Sequence, residues 1–243
     1  MFITPDWPAP HSIKALSTTR LGGISLSPFD SLNLGDHVGD KIEHVEHNRL
    51  ALIRQAHLPE SPRWLKQTHS TTVALSSDWT TGVEADAIFS NHVNHVCPIM
   101  TADCLPILLC DKDGQQIAAI HAGWRGLAAG IIEQTLAKFN GSHSQIMAWC
   151  GPAIGAQQFE VGLDVYHCFT QHSQQAAKAF EPVDSEHYLA NLVLLAKQRL
   201  MSLGVNAIYG GDHCTVSEPT QFFSYRRDGI TGRMASMIWI EHQ

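Results

Sequence analysis

At 243 residues, with 44% apolar and 16% charged residues, the chain can bury a substantial core as one large domain or two small ones. Its net charge of −7 argues against a general nucleic-acid binder, which needs a basic stripe, but leaves room for a small anionic substrate gripped by a few arginines. No stretch is long and apolar enough for a membrane helix. The N-terminal MFITPDWPAPHSIKA lacks a basic region leading into an apolar one, so a cytoplasmic location is expected.

In chain order, residues 13–19 (IKALSTT) read as a strand. Residues 41–57 carry apolar side chains near helical spacing at Ile42, Val45, Leu50 and Ile53, with Asp40 placed to cap the helix. Residues 72–76 read as a strand, followed by 85–90 (ADAIFS), 96–100 (VCPIM), 105–111 (LPILLCD) and 116–122 (QIAAIHA). The turn Lys112-Asp113-Gly114 suits a hairpin between the last two. Residues 127–139 have helical periodicity, and 144–155 read as a strand running into a Gly/Pro turn. Residues 163–171 and 187–204 predict helices, the second stopped by Gly204. Residues 206–212 and 234–242 predict strands. Helices and strands do not alternate strictly, and neither GxGxxG nor GxxxxGK[ST] occurs. The pattern predicts an α+β or mixed-sheet fold and argues against a doubly wound dinucleotide fold. No linker or repeat divides it, so one domain over residues 1–243 is expected.

Three short segments carry the chemistry: KQTHS (66–70), TADCLP (101–106) and HAGWRG (121–126). Each holds one strong potential metal ligand, His69, Cys104 and His121. Two imidazoles and a thiolate are ligands zinc accepts, and three ligands leave a position for water or substrate, as in catalytic sites. His121 ends an apolar run, and the small residues after it allow close backbone approach. Cys104 lies in a polar turn beside Asp103, unlike Cys110 at the end of an apolar strand. Each residue alone also reads as a core histidine, an inert thiol or a loop histidine. The six cysteines form no CxxC pair, and most read as small buried apolar residues.

These segments, together with CGPAIGAQQFEVG (150–162), FFSYRRDGITGRMA (222–235) and STTRLGGISLSPFDSLNLGDHVGD (17–40), resemble the YfiH family. It is also called the DUF152 or multicopper polyphenol oxidase family, and includes the human laccase-domain protein and peptidoglycan editing factors. The resemblance spans nearly the whole chain, from Thr18 to Trp239. It implies a single α+β domain of layered mixed β-sheets flanked by helices, related to a group of cysteine hydrolases. It also implies a His-Cys-His metal site at His69, Cys104 and His121, usually filled by zinc. The implied activity is phosphorolysis of adenosine, inosine and methylthioadenosine to free base and ribose 1-phosphate, with deamination of adenosine.

Deamination needs an activated water, which zinc supplies, and a proton shuttle, for which Asp103 is the candidate. The usual zinc-deaminase signature, HxE with PCxxC, is absent. Phosphorolysis needs cations for phosphate, and Arg20, Arg125, Arg226 and Arg227 are the candidates. Arg227 reads more readily as a structural ion pair. Tyr225, Phe223 and Trp124 offer aromatic faces for a purine, although packing is the commoner role of such residues. The expected partners are therefore a purine nucleoside and phosphate, with no nucleic acid and no membrane.

Three other functions compete. A copper-dependent polyphenol oxidase could bind Cu2+ through the same three residues, yet the chain has no HxH pair, the usual source of further copper ligands. A cysteine hydrolase would use Cys104 as nucleophile and His121 as base, which suits editing of a peptidoglycan precursor. A non-enzymatic metal-binding module fits least, because a storage site tends to close its coordination shell.

Overall fold

Residues Leu105–Asp111 and Ile117–Ala122 are buried at every position, the pattern of strands covered on both faces. In the computed structural model, which describes residues 2–241, they form the middle of a stack of four layers. The N-terminal half contains β1 (Phe2–Ile3), β2 (Ile13–Thr18), α1 (Ile42–Gln55), β3 (Val73–Leu75), β4 (Ala87–Ser90), β5 (Cys97–Thr101), β6 (Leu105–Asp111) and β7 (Ile117–Ala122). Then come α2 (Trp124–Ala129), α3 (Ile131–Leu136), β8 (Ile146–Cys150), β9 (Glu160–Gly162), α4 (Leu163–Thr170), β10 (Phe180–Pro182) and β11 (His187–Ala190). The chain continues with α5 (Leu192–Ser202), β12 (Ala207–Gly210), α6 (Tyr225–Asp228) and β13 (Met234–Ile240). The predicted last strand ends at Ile240, and its His242 lies outside the described residues.

A six-stranded mixed sheet runs β12-β8-β6-β7-β4-β3, and a four-stranded antiparallel sheet runs β1-β2-β13-β5. Alternate residues of a strand point to opposite faces. Phe89, Leu105, Ile107, Leu109 and Ile120 therefore pack under the helices, against Leu127, Ile131, Val165 and Leu195. Ile88, Leu108, Ile117 and Trp149 face the second sheet and meet Ile13, Ile99, Ile238 and Ile240. The outer side of that sheet (Leu16, Met237, Trp239) is covered by Leu52 of α1 and by Leu32 and Leu34. Each such side chain contributes about 1.5–3 kcal/mol by leaving water. A small third sheet, β10-β11-β9, joins the helical side through Val161, Phe180 and Ala190. Among the described residues, no helix is long and apolar enough to cross a membrane.

The architecture is the expected α+β arrangement of mixed sheets and helices, and four local expectations need correction. The α1 stripe is the predicted one only in part: Val45 is buried and Ile53 packs on the core, but Ile42 and Leu50 are 48% and 52% exposed, and Asn48 and Leu52 are fully buried in their stead. Asp40 does not cap α1 as a helix N-cap. Lys41 holds that position, and the Asp40 carboxylate accepts hydrogen bonds from Ser25, Asn33 and the Lys41 amide. The helix over 127–139 is broken at Gly130, whose φ of +100° ends α2 before α3 begins. The predicted helix over 187–204 also begins too early: His187–Ala190 form β11, and Asn191 caps α5 by accepting from the Leu194 amide.

Candidate metal centre

Strand register assembles the centre. In the β6–β7 hairpin Leu105 lies opposite Ala122, so Cys104, just before β6, sits at the same end as His121. On the other side of β7, Ala87 pairs with Ile120, which places Asp86 beside His121; the His121 amide donates to the Asp86 carbonyl at 2.7 Å. His69 arrives on the loop before β3. The ligand atoms of His69, Cys104 and His121 all lie within 4.8 Å of one another. Cys104 Sγ is 3.8 Å from His69 Nε2. The two imidazoles meet edge to face with centroids 4.8 Å apart. Gly123 makes room for the group: a Cβ there would lie 2.9 Å from His69 Cδ2 and 3.1 Å from Cys104 Sγ. His121 is buried, Cys104 half-buried and His69 exposed, so the centre opens outward on the His69 side.

Asp86 organises both histidines, and sequence reasoning missed it. Fully buried, it accepts from the amides of His69 (2.9 Å) and Ser70 (2.6 Å), from Ser70 Oγ (2.7 Å), and from His121 Nδ1 (2.8 Å). It thereby holds His69 in a left-handed backbone conformation, φ +61°, which a non-glycine residue adopts only when its surroundings enforce it. With Nδ1 committed to Asp86, His121 turns Nε2 toward Cys104. A carboxylate behind a ligating histidine is a common orienting arrangement. The only sequence signal was an aspartate between two alanines at the entry to an apolar strand.

The charges are coupled. Burial would raise the Cys104 thiol, but the charge and hydrogen bond of His121, with help from His69, bring it down to about 6. Burial would lower His121, but Cys104 and Asp86 lift it to about 9. Burial would likewise raise Asp86, and hydrogen bonds from His121 and Ser70 hold it well below the usual carboxylate range. At neutral pH the metal-free centre is thus a thiolate–imidazolium pair. Cys97, Cys110 and Cys150 behave oppositely: burial pushes each thiol up, to about 12 for Cys150, as expected of inert core residues.

The donor set fits zinc. Tetrahedral N and S ligands bound at about 2.0–2.3 Å lie roughly 3.3–3.6 Å from one another, close to the 3.8 Å between Cys104 and His69. Among the described residues, this is the one group of three or more His, Cys, Asp or Glu side chains placed to hold a metal.

The remaining sequence candidates are distributed around this centre. Asp103 has a φ of +89°, and both its oxygens are engaged: Thr215 Oγ1 donates to one and the Arg226 amide to the other, each at 2.6 Å. Its carboxylate clamps the 215 and 226 segments to the Cys104 turn. Arg20 donates to the carbonyls of Asp30 and Pro219 and to the Asp30 carboxylate, above the fully buried Phe223 ring. Arg227 donates to the carbonyls of Thr215, Val216 and Phe222 and to Asp228. Both arginines are thus used by the fold. Arg125 is exposed and stacks on Trp124 at 4.3 Å. Arg226 is exposed, and its guanidinium donates once among the described residues, to the Glu160 carbonyl. Tyr225 is exposed at the start of α6.

A family model described as multi-copper polyphenol oxidoreductase laccase matches residues 14–241. The chain belongs to this family. It is 49% identical to a purine nucleoside phosphorylase of Haemophilus influenzae, over 98% of this chain and 99% of the relative. It is also 49% identical to the purine nucleoside phosphorylase YfiH of Escherichia coli, with 98% of each chain covered. A solved DUF152 protein from Neisseria meningitidis superposes with a TM-score of 0.96 at 49% identity, covering 99% of both chains. YfiH from Bacillus licheniformis gives 0.88 at 31% identity, over 94% of this chain and 93% of that one. Although the family's description speaks of several coppers, this YfiH-like chain gathers a single His-Cys-His group among its described residues.

Proposed function

We propose that the chain is a zinc-dependent purine nucleoside enzyme. It phosphorolyses adenosine, inosine and methylthioadenosine to free base and ribose 1-phosphate, and deaminates adenosine. The observation that carries this reading is the outward-opening His69-Cys104-His121 centre in a chain 49% identical, end to end, to proteins named purine nucleoside phosphorylase. His69, Cys104 and His121 would hold the ion; bound zinc supplies Lewis acidity toward oxygen ligands at neutral pH. Asp86 orients His121 and fixes the His69 loop. Asp103 keeps the Cys104 turn and α6 together, which suits a positioning role better than the proton shuttle its sequence position suggested. In phosphorolysis a phosphate oxygen bonds to C1′ of the ribose as the bond from C1′ to the purine nitrogen breaks. Of the sequence candidates for gripping phosphate, Arg125 and Arg226 keep exposed guanidinium groups. Tyr225 offers an exposed ring to the base.

Purified protein, freed of contaminating phosphorylase, should convert adenosine to adenine when phosphate is present and to inosine when it is absent. Cys104→Ala and His121→Ala should each abolish both conversions. Full turnover in either variant would refute the assignment.

A second reading has its own observation. Without metal, Cys104, His121 and Asp86 form a thiolate–imidazolium–carboxylate series, the arrangement of a cysteine hydrolase. Such an enzyme could edit peptidoglycan precursors. The two readings use the same sulfur and are separated by a chelator: zinc removal stops the purine chemistry and leaves or raises thiol hydrolysis. Copper-dependent phenol oxidation through this centre would be a secondary activity.

A further inference from the structure

Among the described residues, no carboxylate forms an ion pair at contact distance with Arg233. This arginine lies one residue before β13. The antiparallel register of β13 on β5 pairs Met234 with Thr101, which brings Arg233 alongside Ala102, next to Asp103 and Cys104. Its position is fixed. The backbone amide donates to Asn33 Oδ1 at 2.9 Å, and Cγ packs so closely on Gly35 that a Cβ there would approach to 2.8 Å. Nη1 donates to the carbonyls of Thr231 and Gly232 at 3.1 and 3.0 Å. Nε and Nη2 donate to no atom among the described residues. The side chain is half-buried, and burial pushes the guanidinium below its usual value. The groups that push it back up are Cys104, Asp103 and Tyr225, in keeping with the register that sets Arg233 beside the Cys104 turn.

Other arginines withdrawn from solvent are paired. Arg20, Arg49, Arg63, Arg199 and Arg227 each have a carboxylate oxygen within 3.3 Å. Arg233 has none within 4.0 Å among the described residues. A partly desolvated cation with no carboxylate in contact costs stability, and an anion bound at its free edge would offset that cost.

We propose that Arg233 is the phosphate-binding arginine of this centre. Its Nε–Nη2 edge offers two parallel N–H donors to a tetrahedral oxyanion. A guanidinium fork matches that geometry where a point charge does not. The choice of inorganic phosphate as the anion rests on the phosphorolysis reading.

Isothermal titration of zinc-loaded protein with inorganic phosphate, with no nucleoside present, tests this. Arg233→Gln should weaken phosphate binding roughly tenfold or more with zinc content unchanged by metal analysis, and exposed Arg54→Gln should leave it as in the parent. An Arg233→Gln variant that binds phosphate as tightly as the parent, or a parent that binds none, overturns the inference. If Arg233→Gln does not fold, the parent decides. An arginine-directed dicarbonyl, mapped by mass spectrometry, should modify Arg233 more slowly when phosphate is present; a rate indifferent to phosphate overturns the inference. A parent that binds phosphate through Arg233 yet converts no nucleoside would sink the phosphorolysis reading and leave the subsite standing.

Discussion

Asp86 is the residue on which the centre most depends without being a ligand. It is one carboxylate serving two histidines, through the ring of one and the backbone of the other. Asp86→Asn keeps the size and removes the charge that holds the His121 tautomer. Zinc affinity, measured by competition with a chromophoric chelator, should fall about 10–100-fold; an unchanged affinity would show the histidines to be held by other contacts. The paired titrations of Cys104 and His121 give a pH prediction with a definite sign. Zinc must displace the His121 proton, present up to about pH 9, but finds Cys104 already a thiolate above about pH 6. Binding near pH 7 should therefore release about one proton. Affinity should climb with pH until about 9 and fall more steeply below about 6, where Cys104 also protonates. Titration calorimetry in buffers of different ionisation enthalpy reads the proton count; a release of two at neutral pH would mean that the thiol is not pre-ionised.

Helix α1 covers the outer sheet with Val45, Asn48 and Leu52, and Asn48 ties it to the 24–33 segment. The Asn48 amide donates to Ser25 Oγ and to the carbonyls of Ser31 and Asn33, and accepts from the Ile24 amide. Asn48→Ala would strand these groups in the interior and should cost about 1–3 kcal/mol, seen as a lower midpoint in urea with an unchanged slope; a neutral result would mean water replaces the amide. A buried asparagine also explains why the apolar pattern caught only part of the buried face, Val45 and Ile53, since periodicity counts only apolar residues. The sheets were easier to read. Residues 105–110 are apolar throughout because both faces are covered, and the hairpin at Lys112-Asp113-Gly114 follows directly. Around 187–190 the pattern was ambiguous, because HYLA suits either a strand or a helix start until Asn191 is recognised as the cap. At the site, His69, Cys104 and His121 stood out by residue type and turn context. Asp86 and Arg233 did not, because each gains its role from a neighbouring strand: Asp86 from the β4–β7 register, Arg233 from the β13–β5 register.

Across the whole molecule, the three candidate ligands come from parts of the chain far apart in sequence. His69 belongs to the loop before β3, Cys104 to the crossing from the four-stranded to the six-stranded sheet, and His121 to the end of β7. An ion bound by all three joins the two sheet layers at one rim, beside the 215 and 226 segments that Asp103 holds. The unfolded chain offers no comparable preformed site, so metal binding is linked to folding. At a free zinc concentration about 100 times the dissociation constant, the native state gains about 2.7 kcal/mol. For a chain of this size that raises the melting temperature by about 5–10 °C, scaling from about 2–4 °C per kcal/mol. Chelation should reverse the gain, and Cys104→Ala should largely abolish the response while still melting cooperatively. A melting temperature indifferent to zinc in the parent protein would show that the centre does not bind the ion tightly enough to serve as proposed. A shift that survived in Cys104→Ala would place the bound zinc elsewhere on the chain.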